Sequence, residues 1–332
     1  MPPFVTMLEM LGGQYIVGAL ASIAELQIPD LVKDGPKSAA ELAEKVGANP
    51  QNLFRLMRAA ASVGVLAEGA DGKFAQTPLS EVLCSDAKPS LRGFAAMHGR
   101  EWLTNGWGNL THTVRTGKRV LAEQYGNDLF QFFAQNPEEA KIFNQAMTDL
   151  SAVDGPALAS TYSFEGLNSV VDIGGGVGLL LATVLHKNPH LRGTLMDMPH
   201  VIESAKTGPL HGVLDRCGFV SGDMFKKVPV GHDAYMMRHI IHDWPDDRCI
   251  QLLKACREAV NPGGKLLVID SVIDPGNEYS PSKFLDLQMM LFPGGRERME
   301  HEFAALFEQS GWKLNRVIKT AALDCWIEGV PG

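Results

Sequence analysis

Four glycines within five positions, Gly174, Gly175, Gly176 and Gly178, follow directly on Val170-Val171-Asp172-Ile173. A buried strand that breaks into such a loop strips its backbone so that a ligand can approach closely. A dinucleotide loop spaced G-x-G-x-x-G would carry its third glycine at Leu179. Here that glycine arrives one residue early, at Gly178. Asp172 stands at the expected mouth of the loop, where it would repel a phosphate and attract a cation. S-adenosylmethionine, a sulfonium that also carries an ammonium group, meets that description. Further chemistry follows at regular intervals. Asp197 is a carboxylate able to take both ribose hydroxyls, although an NAD enzyme would want the same acid. Asp223 could accept from an adenine amine, with Met224 and Phe225 for the ring faces. Arg238 leads into His239-Ile240-Ile241-His242-Asp243-Trp244, and Asp270 comes later. His239, His242 and Asp243 could hold a metal, but histidines at i and i+3 without H-E-x-x-H are weak grounds for one. No metal is expected.

These residues need a scaffold that presents consecutive strand ends to one ligand, and the pattern after Leu167 supplies it. Strands are predicted at Ser169–Ile173, Gly193–Met196, Gly218–Ser221, Ala234–Arg238 and Lys265–Asp270, alternating with helices, the signature of a doubly wound parallel sheet. Lys313–Thr320 and Ala322–Glu328 read as an antiparallel pair closing one edge. At the other end of the chain, Met7 to Ile28 is apolar nearly all round and is expected to stop at Pro29. Such a helix wants cover, and a second subunit would provide it. Ser38 caps a helix to Val46, a second helix follows Pro50, and residues 64–68 and 73–77 read as a β-ribbon. The sum is a winged helix. A DNA reader needs several cations on its recognition helix, and residues 50–62 offer only Arg55 and Arg58. Packing and dimerisation are the better reading. Residues 88–160 look helical and aromatic, a bridge roofing the site. The expected division is 1–87, 88–160 and 161–332.

With 332 residues, two domains are the prior, and a net charge of −8 argues against a nucleic-acid partner. The five cysteines are odd in number and lack C-x-x-C spacing, which suits reduced thiols. No signal peptide is read, and the apolar stretch Tyr15–Ala24 is judged too short to span a bilayer. A cytoplasmic protein with no membrane partner is expected.

The segments DIGGGVG (172–178), LMDMPHV (195–201), SGDMF (221–225), IIHDWPDD (240–247) and FPGGRER (292–298) occur in this order and spacing in the small-molecule O-methyltransferases. These include plant caffeate- and isoflavone-type enzymes, acetylserotonin methyltransferase and bacterial natural-product enzymes of secondary metabolism. The chain resembles that family over nearly its whole length. The resemblance implies a Rossmann-like, doubly wound methyltransferase domain behind an N-terminal winged-helix dimerisation domain, and a homodimer. It implies that Gly174 and Gly176 border the methionine part of S-adenosyl-L-methionine, that Asp197 binds the ribose, and that Asp223 and Met224 border the adenine. Arg238 stands where many relatives have a lysine near the cofactor, and Ser151 matches a serine near it.

Methyl transfer to a phenol, whose pKa is near 10, needs a base at neutral pH. The resemblance puts His242 in that role, with Asp270 and Glu297 as flanking acids and S-adenosyl-L-homocysteine as product. Asp270 is one methylene shorter than the family's usual glutamate, which leaves its contact with His242 open; the alternatives for Glu297 are to orient the ring alone or to pair with a neighbouring arginine. The acceptor is expected to be a small, aromatic hydroxyl compound. Its pocket candidates are Trp107, Phe143, Met147, Trp244, Met290 and Phe292, with Asp243 touching substrate hydroxyls. The alternative is a family member with altered chemistry, such as N- or C-methylation.

Overall fold

The computed structural model describes residues 1–126 and 128–332. The chain divides into two compact units, Met1–Gly108 with Phe133–Val153, and Asn109–Phe132 with Asp154–Gly332. The expected helical segment 88–160 therefore contributes to both.

In the first unit, α1 (Pro3–Glu25) begins earlier than the apolar pattern suggested and ends before Pro29. The stop is Gln27, whose φ of 54° leaves the helical region. Pro29 sits instead in the first turn of α2 (Ile28–Leu31), where its missing N–H costs nothing. Ser38 and Glu41 form a reciprocal cap on α3 (Ala39–Val46), and Asn49 caps α4 (Pro50–Ser62). β1 (Leu66–Glu68) and β2 (Phe74–Gln76) pair antiparallel as the wing. Leu42, Leu53, Met57 and Phe74 close the core with Ile23 of α1. Only Ala21, Ile23 and Ala24 of α1 are buried, while Phe4, Leu8, Leu11 and Tyr15 are exposed. At 23 residues α1 also has the length and apolar composition to cross a membrane, contrary to the shorter stretch first counted. The longer helix adds Phe4 through Leu11 to the apolar run.

The second unit is built on a seven-stranded sheet. In chain order its strands are β3 (Ser169–Ile173), β4 (Arg192–Asp197), β5 (Cys217–Ser221), β6 (His232–Arg238), β7 (Val260–Ser271), β8 (Trp312–Lys319) and β9 (Asp324–Pro331). They lie in the order β5-β4-β3-β6-β7-β9-β8, parallel from β5 to β7, with β9 and β8 antiparallel. Two apolar clusters cover the sheet. One joins Val170, Leu181, Leu185 and Leu195; the other joins Val171, Tyr235, Leu253 and Phe307. Adjacent residues Val170 and Val171 go to different clusters because side chains alternate across a strand. Burial on both faces is what a doubly wound sheet requires. Its parallel strands bring Asp172, Asp197, Ser221, Arg238 and Asp270 to one edge.

Candidate functional site

The strand order reverses between β3 and β6, and the glycine loop leaves β3 at that point. Gly174 and Gly176 both take positive φ, 67° and 60°. A Cβ on Gly176 would meet nothing within 4 Å, so the loop backbone there faces open space. The Gly176 N–H donates to Asp197 Oδ2 at 2.8 Å, and the Met198 N–H donates to Oδ1 at 2.7 Å. The Asp197 carboxylate is thereby fixed in orientation, with a lone pair left on each oxygen. Asp172 is not at the mouth of the loop, as its position in the chain suggested. It is buried beneath it, with Oδ2 making no hydrogen bond. Burial and the neighbouring Asp197 push its carboxyl up to about 7. Burial raises Asp197 as well, against the Met198 and Gly176 N–H donors that lower it, and the two carboxyl groups make this end of the sheet acidic. This cradle fits a cationic, phosphate-free ligand.

Further along the edge, Asp223 lines a cavity of about 450 Å³ together with Met196, Ser221, Gly222 and Lys226. Met224 does not line it and packs on the core instead. Arg238 is held by two carboxylates, donating from Nε to Asp324 and from Nη2 to Asp154, each at 2.7 Å. It ties the end of β6 to the start of β9.

His242 lies in the 3-10 turn Ile241–Asp243 and is 6% exposed. Its Nδ1 donates to Glu297 Oε1 at 2.6 Å. Asp270 Oδ1 is 3.9 Å from the same nitrogen, too far for a hydrogen bond, and accepts instead from the His239 backbone N–H at 3.0 Å. The shorter aspartate thus bonds the backbone leading into the turn, and of the two flanking acids only Glu297 is within hydrogen-bonding reach of the ring. Pairing of Glu297 with a neighbouring arginine is not what forms: Arg296 goes to Asp246 and Glu302, and Arg298 to Asp246. Asp243 Oδ1 stands 3.7 Å from Nε2 on the other side. Burial lowers the imidazolium pKa, but the carboxylates of Glu297, Asp270 and Asp243 outweigh it and raise His242 to about 10. Burial in turn lifts Asp243 to about 6 and Asp270 well above its ordinary value.

The remaining candidates are more dispersed. Trp244 packs edge-on against Phe225 and stacks on Phe130, lining a cavity of about 270 Å³ with Arg119 and Arg248. Met290 is half-buried on the helix Pro281–Leu291, and Phe292 is buried with its carbonyl accepting from Arg119. Trp107, Phe143, Met147 and Ser151 belong to the other compact unit, where Phe143 stacks on Phe133 and the rest are half-buried.

Sequence reasoning weighed His239 only as a metal ligand and did not single out Asp324. His239 has φ of 55°, strained for a residue other than glycine, and its ring lies parallel to that of His242 with centroids 5.0 Å apart. Its Nε2 bonds Asp324 Oδ1 at 3.0 Å. The two histidines thus address separate carboxylates. No signal in the chain links residues 85 positions apart.

Residues 107–313 match the O-methyltransferase domain, and residues 8–86 match the O-methyltransferase dimerisation domain. A phenazine O-methyltransferase of Lysobacter antibioticus is 40% identical over 98% of this chain and 95% of its own length. The mitomycin biosynthesis 6-O-methyltransferase of Streptomyces lavendulae is 39% identical over 96% of this chain and 91% of its own. The crystal structure of human N-acetylserotonin methyltransferase in complex with SAM superposes with a TM-score of 0.92 at 26% identity, covering 100% of this chain and 98% of that one. Glycine loop, strand-end acids, dimerisation module and whole-length likeness converge, and the chain belongs to the S-adenosylmethionine-dependent O-methyltransferases.

Proposed function

We propose that the protein methylates a hydroxyl group of a small aromatic molecule, with His242 as the general base. The observation that carries this reading is the hydrogen bond from His242 Nδ1 to the buried Glu297. It fixes the tautomer, so that in the neutral ring Nε2 carries the lone pair, and it stabilises the imidazolium once a proton has been taken. Gly174, Gly176 and Asp197 would hold S-adenosylmethionine, and Asp223 its adenine end. When bound, that cofactor supplies an electrophilic methyl group. The chain's own work is to remove the hydroxyl proton at Nε2, because a phenol near pKa 10 is a poor nucleophile at neutral pH. Glu297 keeps the ring aligned, and Asp270 stabilises the cation through space while holding the backbone of His239. Asp243, beside Nε2, is placed to receive a hydrogen bond from the acceptor.

The relatives are named for phenazine and mitomycin biosynthesis, which favours a flat, ring-fused acceptor. Trp244, Met290 and Phe292 are the proposed apolar contacts. Arg238 is proposed as flanking the cofactor, through its fixed charge. We read the working form as a cytoplasmic homodimer joined through α1.

The test is turnover of a panel of hydroxylated phenazines and quinones, with the attachment point read by mass spectrometry and NMR. His242→Ala is expected to lose about 10²–10⁴ in rate, the share of a general base, with S-adenosylhomocysteine affinity by calorimetry unchanged. Full turnover in that variant, or methyl groups found on nitrogen or carbon, would defeat the reading.

A further inference from the structure

Arg298 is fully buried, yet the mechanism above does not use it. Its guanidinium donates from Nη1 to the carbonyl of Ile241 at 3.0 Å and from Nη2 to the carbonyl of Trp244 at 3.1 Å. Those two carbonyls bracket the turn that carries His242. Nη2 and Nε also donate to Asp246 Oδ1, at 2.7 and 3.2 Å, and Nη1 to the carbonyl of Arg296 at 3.2 Å.

The segment bearing Arg298 is itself anchored. The Arg298 carbonyl accepts from the Ile273 N–H at 3.0 Å, and the Glu297 N–H donates to Asp286 Oδ1 at 2.9 Å. A Cβ on Gly295 would fall 2.0 Å from the His242 carbonyl, so this segment lies directly against the turn. Glu297 therefore holds the imidazole while its neighbour holds the backbone on both sides of it. The distance between base and orienting carboxylate is set by two consecutive residues.

We propose that Arg298 is a positioning residue for His242, fixing the turn so that the ring keeps its hydrogen bond to Glu297. This rests on the assignment of His242 as base and deepens it. The task needs arginine: its planar fork spans two carbonyls and a carboxylate at once, whereas a lysine ammonium of equal charge makes one compact contact.

The test keeps the charge and removes the fork. In Arg298→Lys, the His242 ring is titrated by NMR in protein with ¹³C-labelled histidine, its signal assigned by loss in His242→Asn. The imidazolium pKa is expected to fall by about one unit or more, because the contact with Glu297 that raises it loosens. The pH-independent limit of turnover, reached above the pKa of the base, should drop roughly ten- to a hundredfold, as misplaced groups do, with S-adenosylhomocysteine affinity retained. A role through charge alone, or through packing alone, would leave the lysine variant's titration at the wild-type value, and that result overturns the proposal. If Arg298→Lys does not fold, Asp246→Asn carries the same test, since it removes the carboxylate that holds the fork from the solvent side; an unchanged His242 titration there is equally fatal. Because the titration reads the ring itself, it stands even if His242→Ala retains turnover and the base assignment fails.

Discussion

Three acids surround one imidazole, and each has a different task set by distance. Glu297 is within hydrogen-bonding reach of His242, while Asp270 and Asp243 act on it through space. The sign of the pH dependence follows. The base proposed above must be neutral to accept a proton, and the carboxylates raise His242 to about 10, so on that proposal kcat/KM should climb with pH across the range 7 to 9. Glu297→Gln keeps an oxygen to accept from Nδ1 but removes the negative charge. The imidazolium is then less stabilised, its pKa falls, and the acid limb should move to lower pH by about one unit or more. An acid limb that stays put or moves upward in that variant would show that Glu297 does not tune the base. The candidate Glu297 was legible because FPGGRER is a recognisable run. Whether Asp270 touches the ring was not, because one methylene changes reach by less than any pattern in the chain records.

At the scale of elements, the edge pair β8–β9 does more than close the sheet. Glu328 on β9 is buried and accepts from Lys265 on β7, Arg316 on β8 and the hydroxyl of Tyr162. Burial would raise its pKa, but these donors outweigh it and hold the carboxyl down at about 2. Since the folded value lies below the ordinary glutamate value near 4.3, its stabilisation is complete above that pH and is lost as pH falls toward 2. Glu328→Ala leaves the buried Tyr162 hydroxyl without its acceptor and frees the more exposed Lys265 and Arg316, and should cost about 1–3 kcal/mol of unfolding free energy at pH 7, read by urea denaturation. A loss indistinguishable from that of a surface variant would contradict it. The strands themselves were readable from β-branched runs and turn residues, and six of the seven in the large sheet fall within a few residues of expectation. β7 is the exception: Val260 pairs with His232 five residues before the expected start, and a register shift then carries the chain past the turn-like Pro262-Gly263-Gly264 before Lys265 pairs with Ala234.

For the molecule as a whole, α1 is the feature one chain leaves unfinished. Leu8 and Leu11 are 66% and 62% exposed on a helix that the dimerisation-domain match includes. Leu8→Glu with Leu11→Glu should therefore shift the mass seen by light scattering from twice 36.1 kDa to the single-chain value. A single-chain mass in the unaltered protein, or an unchanged dimer in the variant, would remove α1 from the interface. The same apolarity satisfies the length requirement for a membrane span, and composition alone does not separate the two uses.

Periodicity and punctuation are local properties, so the chain alone determined the alternation of strands and helices, the winged helix and the glycine loop that excludes a dinucleotide. Ordered motifs then carried the family and its cofactor. Distances between residues far apart in the chain are not local, and only the fold decided them. It put Asp172 under the loop instead of at its mouth, gave Asp270 to the His239 backbone, brought Asp324 to His239 and Arg238, and set Arg298 across the turn of His242. Each of those outcomes depends on ångström-scale packing of separate strands against one another, which no spacing of residue types encodes.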